Sequence, residues 1–115
     1  MNFRGLKLAG IQDTSAARIT RFAIPAGRER EAGQDILACL ADGATLCLRN
    51  ESDEGNEGVT FICPTRSGMV TKESGHGWQG DWEPTDAAGV MALVAKLAPR
   101  NRGGSGGHGS IIRAK

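Results

Sequence analysis

The stretch that most constrains this chain runs from Asp35 to Pro64, DILACLADGATLCLRNESDEGNEGVTFICP. Ala32, Ile36, Leu37 and Leu40 recur at the spacing of one helical face, and Gly43 stands where a helix commonly ends in a left-handed residue. Directly afterwards the period falls from 3.6 to 2. Ala44, Leu46 and Leu48 alternate with Thr45, Cys47 and Arg49, and Val59, Phe61 and Cys63 alternate with Thr60 and Ile62. Two alternating segments joined by a polar, glycine-containing loop are expected to pair as antiparallel neighbours. The apolar side of the helix must then be buried against one side of that strand pair.

The flanking segments extend the same architecture. Leu6 and Leu8 suggest a first strand over residues 3–9, followed by a polar connection. Thr20, Phe22 and Ile24 share one side of a second strand over residues 18–24, which Pro25 ends. Gly33 weakens the first half of the helix, so the expected helix covers residues 34–41. Residues 69–72 read as a further strand, and residues 73–84 as an irregular loop with short pairing around Trp78 and Trp82. Thr85 is the expected N-cap of a second helix, residues 86–97, with Val90, Leu93, Val94 and Leu97 on its apolar face. This order predicts an α+β domain, a small mostly antiparallel sheet or a partly closed β-barrel with two helices.

Residues 1–99 are expected to form one domain, in keeping with a 115-residue chain. Five glycines crowd into residues 103–109, and residues 100–110 contain no apolar side chain to bury, which predicts a flexible tail. Ile111 and Ile112 reverse that character. Residues 111–115 are therefore expected to add an edge strand to the body or to a neighbouring copy.

With 39% hydrophobic and 23% charged residues, the chain has the composition of a globular protein. It has no run long enough to span a membrane, and MNFRGLKLAG lacks the apolar core of a signal peptide, so the expected location is the cytoplasm. Cys39, Cys47 and Cys63 sit in apolar patterns without a CxxC pair and read as free thiols. The net charge of +1 is unevenly placed. Arg100, Arg102, Arg113 and Lys115 face no acid in the last 18 residues, and the first 97 carry ten bases against thirteen acids, a net −3.

No motif identifies a reaction. Glu51, Asp53, Glu54 and Glu57 form an acidic loop without EF-hand spacing, so a solvated loop is the expected reading and no metal site is assigned. His76 and His108 do not combine with the cysteines in any zinc-finger spacing, and His108 falls in the expected tail. The glycine tract lacks the Lys-Ser/Thr ending of a phosphate loop. No cofactor is implied.

Two groups of residues do suggest binding. Arg18, Arg21, Arg28, Arg30, Arg49 and Arg66 lie at strand ends and loops, where forked guanidinium groups would suit phosphate. Trp78 and Trp82 stand out in a chain with three Phe and no Tyr. A tryptophan in a glycine-rich loop serves as a stacking platform, a protein anchor or a lid on the core, and one of the two is expected to be buried.

AGRERE followed by DILACLADGATLCLRNESDEGNEGVTFI, within residues 28–62, resembles the HIRAN domain, a small β-rich module of helicase-related proteins and of stand-alone bacterial proteins. Arg28 or Arg30, Leu37, Leu40, Gly43, Leu46, Leu48, Glu51 and the strand Val59-Thr60-Phe61 take the family's positions. Ser52 stands where that pattern has proline. The resemblance implies a barrel-like fold that holds a DNA end or single strand.

The leading expectation is thus a non-enzymatic nucleic-acid-binding module, with Arg28, Arg30, Arg49 and Arg66 on phosphate and Trp78 on a base. The alternative is a protein-interaction or inhibitor protein, such as an accessory product of a mobile element. Its contact surface would be Glu51, Asp53, Glu54, Glu57, Trp82, Ile111 and Ile112, with a homodimer among the expected assemblies.

Overall fold

The computed structural model describes residues 3–51, 57–75, 77–97 and 105–115. Among these residues, eight strands and two helices follow one another as β1 (Lys7–Asp13), β2 (Ala17–Pro25), α1 (Glu29–Ala41), β3 (Thr45–Glu51), β4 (Glu57–Thr65), β5 (Gly68–Gly75), β6 (Trp78–Gln79), β7 (Glu83–Thr85), α2 (Ala87–Leu97) and β8 (Ser105–Ala114). The strands form one antiparallel sheet in the order β1-β2-β8-β3-β4-β5-β6, with β7 also paired to β5. The domain is α+β, and its sheet is open rather than closed into a barrel.

Both helices lie on one side of the sheet. Phe22, Ile24, Leu46, Leu48, Ile62 and Ile111 meet Ala32, Ile36, Cys39 and Leu40 of α1 and Val90 and Val94 of α2 in a single buried core. Alternation dictates this set, because each strand contributes every second residue. The expected pairing of β3 with β4 is present, running from Leu46↔Ile62 to Glu51↔Glu57.

The first helix begins five residues earlier than expected, at Glu29. Gly33 is a contact surface rather than a weak point. A β-carbon there would fall 2.4 Å from Met91 Sδ of α2, so its absence makes room for the Met91 thioether between the helices. Glu29 and Glu31 add favourable charge at the positive end of the helix. The cap of α2 is Asp86, whose Oδ1 accepts the Gly89 N–H at 2.8 Å, while the expected cap Thr85 belongs to β7.

The first strand is displaced toward the second. The expected polar connection supplies Gly10–Asp13 to β1, and Thr14 closes a tight hairpin by exchanging hydrogen bonds with Ala17. A bulge between Leu8 and Gly10 brings Leu8 and Ile11 to the same side.

The largest correction concerns the C-terminal segment. Residues 105–110 are not tail, and Ile111 and Ile112 are not on an edge. Both belong to the ten-residue strand β8, which lies in mid-sheet between β2 and β3. Residues 100–104 lie outside the described residues.

Candidate binding face

Cross-strand register determines what the second side of the sheet presents. Side chains of paired residues point to the same side, so each chain of pairings defines a row. One row runs Arg21↔Ser110↔Cys47↔Phe61↔Lys72, crossing β2, β8, β3, β4 and β5. The next runs Ala23↔His108↔Arg49↔Val59↔Ser74. A third contains Ile19↔Ile112↔Thr45. Neither helix packs over these rows, whose members are exposed or half-buried where their side chains are described.

The first row has a cation at each end and an apolar middle. Five strands at about 4.8 Å spacing give it a length of about 19 Å. Near Lys72 it is extended by Trp82, whose ring centroid lies 5.8 Å from Lys72 Nζ, within cation–π range. Near Arg21, a cavity of about 310 Å³ is lined by Arg21, Arg49, His108 and Ser110 together with Ala9, Phe22 and Gly109.

Charge is distributed unequally between the two ends of the strands. Arg18 and Lys115 are 3.0 and 3.4 Å from Asp13 Oδ1, and Arg113 is 3.0 Å from Asp42 Oδ2. The Arg18 guanidinium, followed by Lys115, holds the Asp13 carboxyl below its usual range. Among the residues whose side chains are described, no carboxylate pairs with Arg21, Arg49 or Lys72. Arg21 Nη2 instead donates to Gln12 Oε1 at 3.4 Å.

The four arginines expected to share phosphate contacts are not gathered together. Arg28 flanks the start of α1 and donates to the Arg4 carbonyl at 3.5 Å, and Arg30 is exposed in the first turn of that helix. Arg66 lies in the β4–β5 turn, seven residues past Val59, the partner of Arg49. Along an extended chain that separation is about 23 Å. Only Arg49 stands on the open face. Arg21, His108 and Ser110 join it through pairings of β8 that no local pattern reveals.

The tryptophans also differ from expectation, since Trp78 is 53% and Trp82 47% exposed and neither closes the core. Trp78 covers Gly75, where a β-carbon would come within 2.3 Å of its indole nitrogen. By strand alternation Gly75 points to the helix side, opposite Lys72 and Ser74. Trp82, beside Lys72, is the tryptophan nearer the basic row.

The surface expected to meet a protein is dispersed as well. Ile111 is buried in the core and Ile112 is half-buried on the open face. Glu51 and Glu57 close the β3–β4 ladder as a backbone pair, while Asp53, Glu54 and His76 lie outside the described residues. The three cysteines are free thiols, with Cys39 buried and Cys47 and Cys63 half-buried. Burial pushes the Cys39 and Cys47 thiols above their usual range, against an opposing influence of Arg113 on the first and Arg49 on the second.

Among the described residues no three His, Cys, Asp or Glu side chains gather as a metal site, and no helix is long and apolar enough to cross a membrane. Comparison with family models, curated proteins and solved structures gives no match.

Proposed function

We propose that this protein binds single-stranded nucleic acid across the open face of its sheet. The observation that carries the reading is the row Arg21, Ser110, Cys47, Phe61 and Lys72, with Arg49 and His108 beside it. A single strand offers a phosphate on one side and a flat apolar base on the other. It is therefore matched by cations flanking an aromatic strip, which Phe61 and Trp82 supply here. The resemblance to the HIRAN domain implies the same ligand class and shares Phe61 with this row, although the sheet is open where that resemblance implies a barrel.

The net −3 of the first 97 residues sets a constraint. Attraction must come from the local basic row rather than the field of the whole molecule, which predicts modest affinity and a pronounced salt dependence. Fluorescence anisotropy with a labelled 12-nucleotide DNA at several salt concentrations tests this. Affinity falls as salt rises, and Arg49→Ala makes the log–log slope shallower by about 0.7, the loss of one phosphate contact. Absence of binding at low salt, or a slope indifferent to Arg49, removes the reading.

A second reading, association with another copy of the chain, draws on β1. Its seven residues are all exposed and its outer edge has no strand partner among the described residues. Leu8 and Ile11 share one side, 48% and 63% exposed. Such an edge offers both backbone hydrogen bonds and apolar surface to a further strand.

A further inference from the structure

The cavity at the β2 end of the basic row has a composition that goes beyond general attraction for a phosphate backbone. The polar residues of its lining include Arg21, Arg49, His108 and Ser110, brought together by three neighbouring strands, and among the described residues no carboxylate lines it. Two guanidinium forks, an imidazole and a hydroxyl around one space offer more donors than a singly charged phosphodiester can use. A phosphate monoester carries about −1.5 to −2 charges near neutral pH and three terminal oxygens, and it uses such a set more fully.

The position of the cavity favours the end of a chain over its middle. On the β1 side Ala9, the residue at the register shift between Leu8 and Gly10, forms part of the wall. On the opposite side the row leads away through Cys47 and Phe61 to Lys72. A strand stacked on Phe61 and Trp82 thus reaches the cavity at its last phosphate.

Resting on the single-strand reading above, we infer that this cavity holds the terminal phosphate monoester of the bound strand. Arg21 and Arg49 grip its oxygens, and His108 and Ser110 complete the contact. The ligand class is a phosphorylated strand end, 5′ or 3′.

Three probes test the inference on the intact protein: a 12-nucleotide DNA with hydroxyl ends, the same DNA phosphorylated at one end or the other, and inorganic phosphate. One phosphorylated form is expected to bind at least about tenfold tighter than the hydroxyl form, the effect of one charge-assisted hydrogen bond. Arg21→Gln abolishes that difference, lowering the affinity of the phosphorylated form by at least about tenfold more than that of the hydroxyl form, so the ratio of the two affinities is the readout. Inorganic phosphate shifts the amide resonances of residues 108–110 in a saturable manner.

Equal affinity for all three DNAs, without a phosphate-induced shift at residues 108–110, overturns the inference and leaves the single-strand reading standing. A saturable phosphate shift with no DNA binding removes the strand reading and, with it, the strand end as ligand. Arg21→Gln is an exposed substitution, and an unchanged urea midpoint separates lost recognition from lost folding.

Discussion

The ring of Phe22 lies over the backbone of Gly109, its cross-strand partner, so closely that a β-carbon on Gly109 would fall 2.5 Å from Phe22 Cζ. The same β-carbon would sit 2.5 Å from the Cys47 carbonyl oxygen. Gly109 is thus the space into which the core's largest aromatic side chain fits. Gly109→Ala is expected to destabilise the fold by about 1–3 kcal/mol through overpacking, and Gly109→Val by more. A urea melt should show the midpoint falling at unchanged m-value. An alanine variant as stable as the parent would mean that Phe22 moves aside freely.

This contact explains what the sequence conceals. SGGHGS reads as tail because glycine weakens strands, yet its alternation, which continues into Ile111 and Ile112, is intact once Phe22 is placed. Gly107, Gly109 and Ile111 point to the core, whereas His108, Ser110 and Ile112 point to the open face. The β3–β4 pair was legible because its partners are adjacent in the chain. The position of β8 depends on residues 17–25 and 45–49, and no local pattern records pairing at that distance. The site divides in the same way. Arg49 can be read from the alternation of β3, but its neighbours Arg21 and His108 become neighbours only through β8. The early start of α1 is similarly non-local, since Gly33 is favoured by Met91 of the other helix.

Asp35 anchors the segment before β1. Its Oδ2 accepts the N–H groups of Arg4, Gly5 and Leu6 at 3.0, 2.7 and 3.1 Å. Gly5 lies against α1, where a β-carbon would fall 1.9 Å from the Ala32 nitrogen. Asp35→Ala removes a carboxylate acceptor from three donors and is expected to cost about 1–3 kcal/mol, with Asp35→Asn intermediate. Hydrogen exchange should localise the loss to the amides of residues 4–6. Uniform loss of protection across the sheet would argue instead for a global role.

The edge of β1 makes a separate prediction. The bulge places Leu8 and Ile11 on one side, so an antiparallel pairing of two β1 strands that sets Leu8 opposite Ile11 of the second copy keeps all four on that side. Sedimentation should show a mass that rises with concentration in the parent and remains monomeric in Ile11→Lys, a charge that blunts the edge. A parent that stays monomeric throughout eliminates this assembly.

Four acidic residues follow Arg49 closely in sequence, from two to eight positions beyond it. Replacing Glu51, Asp53, Glu54 and Glu57 by their amides removes four negative charges. DNA affinity is expected to rise by about threefold or more at low salt, and the gain should vanish at high salt as screening takes over. Weaker binding in the amide variant would show that these residues contribute to recognition directly.

Cys47 provides a probe in the middle of the basic row. Burial raises its thiol pKa, so the reactive thiolate is scarcer at neutral pH than in an unfolded chain. Because the folded pKa is raised, folding favours the protonated thiol. That contribution to stability is complete below the unfolded thiol's pKa and is lost as pH rises through the folded value. Alkylation by iodoacetamide should accordingly be slow at neutral pH and accelerate only above the ordinary thiol range. At such a pH, saturating 12-nucleotide DNA should slow modification at Cys47, which lies between Ser110 and Phe61 in the row. Cys39, buried on the helix side, should react slowly with or without DNA. Peptide mapping by mass spectrometry separates the two sites. Equal Cys47 modification in the presence and absence of bound DNA would place the ligand elsewhere than on this face.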